Sequence, residues 1–147
     1  MLRTAHMSFT VEDLERSLIF YRDTLGMKLV GSMERVGEDI SRIVDFDDAH
    51  LKIAFLELPE AGGVQLELIE YLSPRGDSID RRTCNPGSAH ICFLVDDIHS
   101  AFETLGARGV RFKSDPVAIL TGVKRGGYAV YFLDPDGNSL ELVQRPK

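Results

Sequence analysis

The sequence predicts an α+β fold made of two tandem βαβββ modules, and three observations carry that prediction. A histidine in a strand-like segment precedes an acid-capped helix start twice. His6 leads to Val11-Glu12-Asp13-Leu14, and His90 leads to Val95-Asp96-Asp97-Ile98, 84 residues further on. Each half then closes on a matching strand pattern, Leu66-Glu67-Leu68-Ile69 and Leu140-Glu141-Leu142-Val143. Between these landmarks the apolar residues pass from alternation to helical spacing and back. One repeat in a chain of 147 residues implies a two-fold pseudo-symmetric sheet assembly, since a solenoid needs three or more units.

The first element is Ala5-His6-Met7-Ser8-Phe9, a strand by alternation. Thr10 and Asp13 then offer side-chain oxygens to the unpaired amides of a first helical turn. Leu14, Leu18, Tyr21 and Leu25 form one apolar stripe, and Gly26 ends the helix because it can turn left-handed. Strands follow at Met27–Gly31, Leu51–Leu58 and Val64–Leu72. In the second half Ala89–Val95 reads as a strand, and Asp97 starts a helix with Ile98, Phe102 and Leu105 on one face. Gly106 to Gly109 is expected to break that helix before strands at Val110–Lys113, Tyr128–Leu133 and Ser139–Gln144. The hairpin segment Phe55-Leu56-Glu57-Leu58-Pro59-Glu60 parallels Phe132-Leu133-Asp134-Pro135-Asp136, where Asp136-Gly137-Asn138 is a turn signal. The whole is expected to form a single domain, with module 1 at about 1–72, a Pro/Gly-rich linker at 73–88 and module 2 at about 89–147.

Composition removes several classes. A chain of this length buries a core without staples, and 44% apolar with 27% charged residues is ordinary for a soluble globular protein. No window reaches the apolar length of a membrane span, and the N-terminus has no secretory pattern, so a cytoplasmic protein is expected. A net charge of −6 argues against nucleic acid as a partner. A disulfide between Cys84 and Cys92 is not expected. Cys92, inside the apolar run Ile91–Val95, reads as a small buried thiol.

The residues that stand out chemically are His6, Glu67, His90 and Glu141. A glutamate in mid-strand points away from its flanking leucines, and burying it unpaired costs several kcal/mol. Singly, each residue has an ordinary structural explanation. Jointly, both histidines and both glutamates hold equivalent places in two copies of one unit, so a two-fold packing brings four ligands together. Two imidazoles and two carboxylates suit a divalent metal: Zn, Ni, Co, Mn or Fe. Five- or six-fold coordination would leave places for water or substrate oxygen, as Lewis-acid catalysis needs.

At these residues, and at Asp13-Leu14 to Phe20-Tyr21, Leu25-Gly26-Met27, His90-Ile91 and Leu133-Asp134-Pro135-Asp136-Gly137, the chain resembles the vicinal-oxygen-chelate superfamily. That group includes glyoxalase I, methylmalonyl-CoA epimerase, extradiol dioxygenases and fosfomycin-resistance proteins. The resemblance spans nearly the whole chain and implies a curved mixed sheet around a central site. It places the metal ligands of glyoxalase I at His6, Glu67, His90 and Glu141. Thr10 and Tyr71 stand where glyoxalase I-like enzymes put an arginine and an asparagine, which weakens a glutathione substrate. Glu67-Leu68-Ile69-Glu70-Tyr71 and Ala89-His90-Ile91-Cys92-Phe93 look more like methylmalonyl-CoA epimerase, whose second ligand position usually carries glutamine.

The resemblance implies removal of a proton next to a carbonyl, with Glu141 as ligand and base and Glu67 as its counterpart. The implied substrate is a small molecule, such as an acyl thioester, and the implied assembly a homodimer. Lys52 and Arg125 are the candidate substrate-binding cations, against the reading that both are solvated surface charges. Arg75, Arg81, Arg82 and Lys124 lie in loops expected to rim the site, with Gly122, Gly126 and Gly127 allowing a lid. Alternatives are a glyoxalase I-like lactoylglutathione lyase, a non-enzymatic bleomycin-resistance-type binding protein and a ring-cleaving dioxygenase.

Overall fold

A computed structural model describes residues 1–58 and 62–146. The chain divides into two compact units, Met1–Ser78 and Ile79–Lys147. Each is built on its own mixed sheet with few helices, an α+β fold.

In the first unit β1 (His6–Val11) leads into α1 (Leu14–Leu18), then β2 (Lys28–Val36), α2 (Glu38–Val44), β3 (His50–Glu57) and β4 (Gln65–Ser73). The sheet order is β1-β4-β3-β2, with β1 parallel to β4 and the other pairings antiparallel. Asp13 caps α1 by accepting from the Arg16 amide at 2.9 Å. Thr10 does not share that work: it lies inside β1, opposite Ile69. The stripe Leu14, Leu18 and Tyr21 is buried as expected, but the helix widens into a π-helical stretch over Ile19–Thr24. Gly26 stops it at φ +80°, a left-handed conformation that costs glycine little. Helix α1 packs on β3 and β4, whose Leu56, Leu66 and Leu68 are fully buried. Burying such a side chain contributes about 1.5–3 kcal/mol.

The sequence reading missed α2. Gly37 and Asp45 flank it with positive φ values, and Ile40 packs with Leu51 and Ile53 while Val44 lies beside them. The helix therefore covers the sheet face carrying Leu51, Ile53, Ile69 and Tyr71.

The second unit runs β5 (His90–Leu94), α3 (Ile98–Ala107), β6 (Arg111–Phe112), β7 (Val117–Ala118), β8 (Tyr128–Leu133) and β9 (Ser139–Gln144). Its order is β5-β9-β8-β6, with β7 also on β8, and β5 runs parallel to β9. Asp97 caps α3 by accepting from the His99 and Ser100 amides. The helix continues through Gly106 to Ala107 and ends before Gly109 at φ +86°, later than expected. Phe102, Phe112 and Phe132 stack in sequence beneath it, at 4.5 and 5.6 Å between ring centres. The strand expected at Val110–Lys113 is only Arg111–Phe112, and β7 was not anticipated. The turn after β8 is held by buried Asp134, which accepts from the Asp136 and Asn138 amides and the Asn138 side chain. The matching hairpin after β3 includes Pro59 and Glu60, which lie outside the described residues. Among the described residues no helix is long and apolar enough to cross a membrane.

Candidate functional site

Strand alternation puts His6, Glu67 and Phe55 on one face of the first sheet, since Phe55 pairs with Glu67 and His6 with Gln65, two residues before Glu67. The flanking Leu66 and Leu68 point to the α1 side. His6 Nε2 lies 3.5 Å from Glu67 Oε2, and the Phe55 ring meets the imidazole edge-on at 6.2 Å. The second sheet repeats the arrangement. His90 Nε2 lies 3.3 Å from Glu141 Oε2, and the Tyr131 ring, opposite Glu141 in register, meets the imidazole at 5.2 Å. In both pairs the carboxylate is largely covered, at 12% and 13% side-chain exposure, while the imidazole stays accessible at 47% and 39%. A parallel pairing of the first and last strands of each unit produces the match, because it fixes the histidine one strand over from the glutamate.

The donor set fits a divalent cation. The separations exceed those of a strong charge-assisted hydrogen bond, about 2.7–2.9 Å. Two donor bonds of about 2.1 Å spanning 3.3–3.5 Å would meet at roughly 105–115°, within the range metal centres adopt. Among the described residues no cluster of three or more His, Cys, Asp or Glu suited to a metal occurs, and each unit by itself offers two donors, one imidazole and one carboxylate.

Other expected site residues fall differently. Lys52 pairs in register with Glu34 and Glu70, three residues from Phe55, and so lies on the sheet face opposite Glu67. Arg125 is exposed in the loop between β7 and β8. That loop is closed by backbone bonds from the Gly126 amide to Ile119 and from the Ile119 amide to Gly127, both 2.9 Å. Gly127 serves close packing there: a Cβ on it would come within 2.2 Å of the Gln144 carbonyl oxygen. Arg82 is tied to Asp80, and Arg75 lies 3.8 Å from Glu70.

Glu70 itself is structural. Its carboxylate accepts from the buried Leu14 amide at 3.1 Å and so caps α1 from the neighbouring strand. Gln144, three residues after Glu141, does the same for α3 through the Ile98 amide at 2.9 Å. This second capping pair was legible as a repeat, because Glu70 and Gln144 each follow the mid-strand glutamate by three.

Cys92 corrects the sequence reading. It is exposed, and it lies on the Glu141 face of the second sheet, in register with that residue. Desolvation by its neighbours, then hydrogen bonding to the Glu141 carboxylate and its charge, push the thiol up to about 11. Desolvation and the same carboxylate raise Tyr131, so its hydroxyl stays protonated at neutral pH. Tyr131, Lys113 and Ser139 also share this face and were not picked out from the sequence. Lys113 Nζ donates to Ser139 Oγ at 3.0 Å and stands 5.5 Å from the centre of the Tyr131 ring.

Comparison with known proteins places the fold and the sequence in one family. Among curated sequences, the chain is 34% identical over 145 residues to a 2-epi-5-epi-valiolone epimerase of Actinomyces sp., covering 96% of the chain and 78% of that protein. It is 29% identical to a probable chloroplastic lactoylglutathione lyase of Arabidopsis thaliana, covering 97% of the chain but only 36% of that longer protein. It is also 29% identical to the mitochondrial methylmalonyl-CoA epimerase of Mus musculus, covering 90% of the chain and 66% of that protein. The crystal structure of a glyoxalase family protein from Bacillus cereus shares the fold, with a TM-score of 0.78, 22% identity, and coverage of 100% of this chain and 96% of that one. The sequence profile of one family matches residues 3–142, and the chain belongs to it: the Glyoxalase/Bleomycin resistance protein/Dioxygenase superfamily.

Proposed function

We propose that the protein is a divalent-metal-dependent epimerase that moves a proton on a carbon next to a carbonyl. The observation that carries this reading is the duplicated His–Glu pair, at 3.5 Å in one unit and 3.3 Å in the other, at matching strand positions. The 34% identity to an epimerase along most of both chains supports the choice of reaction.

His6, Glu67, His90 and Glu141 are the proposed ligands. When bound, the metal supplies Lewis-acid stabilisation for the charge that gathers on the carbonyl oxygen as the neighbouring proton leaves. The chain does the rest. Glu141 is the proposed base, holding the proton on its carboxylate and returning it to the carbon; Glu67 is its counterpart. The carboxylates are largely covered, while the imidazoles stay accessible to a ligand. The substrate is a small carbonyl compound, and we place the enzyme as a homodimer in the cytoplasm.

Elemental analysis of protein purified without added metal, together with solvent deuterium exchange, tests this. Wild-type protein should carry metal and should exchange deuterium into one of three substrates: a polyhydroxylated cyclic ketone, methylmalonyl-CoA or a glutathione hemithioacetal. Glu141→Gln should lose both metal and exchange. Normal metal content in that variant removes Glu141 from the ligand set, and exchange of the hemithioacetal alone favours the lyase reading.

A further inference from the structure

The two sheets share a plan but differ in chemistry. Opposite Glu67 in register stands Phe55, and opposite Phe55 stands Gly31. In the second sheet the same positions are held by Tyr131 opposite Glu141 and by Lys113, whose amide donates to the Tyr131 carbonyl at 2.8 Å. The fold is satisfied by a phenyl ring and a bare glycine at these positions, so a phenol and an ammonium are not structural requirements. Ser139 pairs with His90, and its counterpart Gln65 pairs with His6. The second face thus carries two side-chain donors, Tyr131 and Lys113, where the first has none, and a serine in place of Gln65.

Their geometry is set. Lys113 Nζ reaches Ser139 Oγ at 3.0 Å, and Ser139 is 2% exposed, which directs the exposed lysine across the face. The Tyr131 ring lies under the ammonium at 5.5 Å, and its hydroxyl comes to 3.4 Å from His90 Nε2. An ammonium has three protons, and the Ser139 contact uses one. Among the described residues no carboxylate lies within ion-pairing distance of Lys113, so its charge is available to a ligand oxygen. Cys92, on the same face, also feels the positive charge of Lys124.

We propose that Lys113, supported by Ser139 and Tyr131, is a substrate-binding residue that holds a second oxygen of the substrate beside the His90–Glu141 pair. The ligand class is a carbonyl compound bearing an acceptor oxygen close to the reacting carbon, either a carboxylate or a hydroxyl. The inference rests on the proposed reaction only for the identity of the site. It assigns substrate recognition to the second unit, whose sheet carries the donors; the sheet of the first unit has an apolar ring, Phe55, at the matching place.

The test is calorimetric binding of two unreactive probes, oxalate for an anionic second oxygen and hydroxyacetone for a neutral one. Wild type, Lys113→Met and Lys113→Arg are compared at matched, measured metal content, metal-free protein included. Loss of a charge-assisted bond should weaken at least one probe about tenfold or more in Lys113→Met, with partial recovery in Lys113→Arg. Metal stoichiometry and thermal midpoint should not move, and in turnover the loss should fall on KM more than on kcat. The probe that responds identifies the oxygen. Equal affinity in Lys113→Met and wild type for both probes, or no binding of either to wild type, overturns the inference. Absence of bound metal would instead count against the proposed reaction and leaves the ratio of affinities to judge Lys113.

Discussion

Glu70→Ala is the perturbation that best separates scaffold from site, since Glu70 stands only three residues from Glu67. Its carboxylate is 11% exposed and accepts from the Leu14 amide at 3.1 Å, while Leu14 is itself 4% exposed. Removing the side chain leaves a buried amide without its acceptor, a loss of about 1–3 kcal/mol. Arg75 adds little, being 3.8 Å away and 64% exposed. Glu70→Gln keeps an acceptor oxygen and gives up only the charge near the helix start, about 0.3–1 kcal/mol. The second unit already uses that solution, with Gln144 on the Ile98 amide. At roughly 2–4 °C per kcal/mol for a chain of this size, Glu70→Ala should melt about 2–12 °C early and Glu70→Gln about 1–4 °C early, with Glu70→Gln the smaller loss of the two. Differential scanning calorimetry reads both, and metal content should be unchanged in each. A Glu70→Gln variant as damaged as Glu70→Ala, or a neutral Glu70→Ala, would refute the capping argument.

Three further expectations concern single residues. Asp13→Ala and Asp97→Ala should each cost about 1 kcal/mol in urea unfolding, because each removes an N-cap acceptor; equal stability to wild type would deny the caps. Gly127→Ala should destabilise by about 1–3 kcal/mol, since its Cβ meets the Gln144 carbonyl at 2.2 Å, and an unchanged melting point would mean the loop yields freely. In metal-free protein, the Cys92 thiol at about 11 against an ordinary 9.0 should hold about a hundredth of the usual thiolate at pH 8. Iodoacetamide labelling should therefore be slow and should quicken in Glu141→Gln. Because the folded value is the raised one, the contribution to stability is intact below pH 9.0 and fades as pH climbs toward 11.

Much of the fold could be read from local chemistry. Asp13 and Asp97 announce their helices because a capping carboxylate acts within its own turn. Gly26 marks a helix end because few other residues accept φ +80°. The face of Glu67 and Glu141 followed from alternation alone, but the pairing of each with a histidine of its own unit came from the parallel pairing of the first and last strands. Alternation also held the answer for Lys52, whose three-residue offset from Phe55 in β3 sends it to the other face, but that needed the register. Helix α2 was hidden because its seven residues carry too short an apolar stripe to stand out, and its burial depends on Leu51 and Ile53 from another strand.

The amino-acid order alone determined that the chain is a duplicated α+β protein with one imidazole and one carboxylate in each half, because repeats, caps and strand alternation are local properties. Only the tertiary structure decided which neighbours stand beside those pairs. Phe55 and Tyr131 reach their histidines, Lys113 reaches Ser139 and Cys92 meets Glu141 through pairing between strands far apart in sequence. Strand pairing is a non-local choice, set by which apolar faces must be buried together, and no window of sequence contains it.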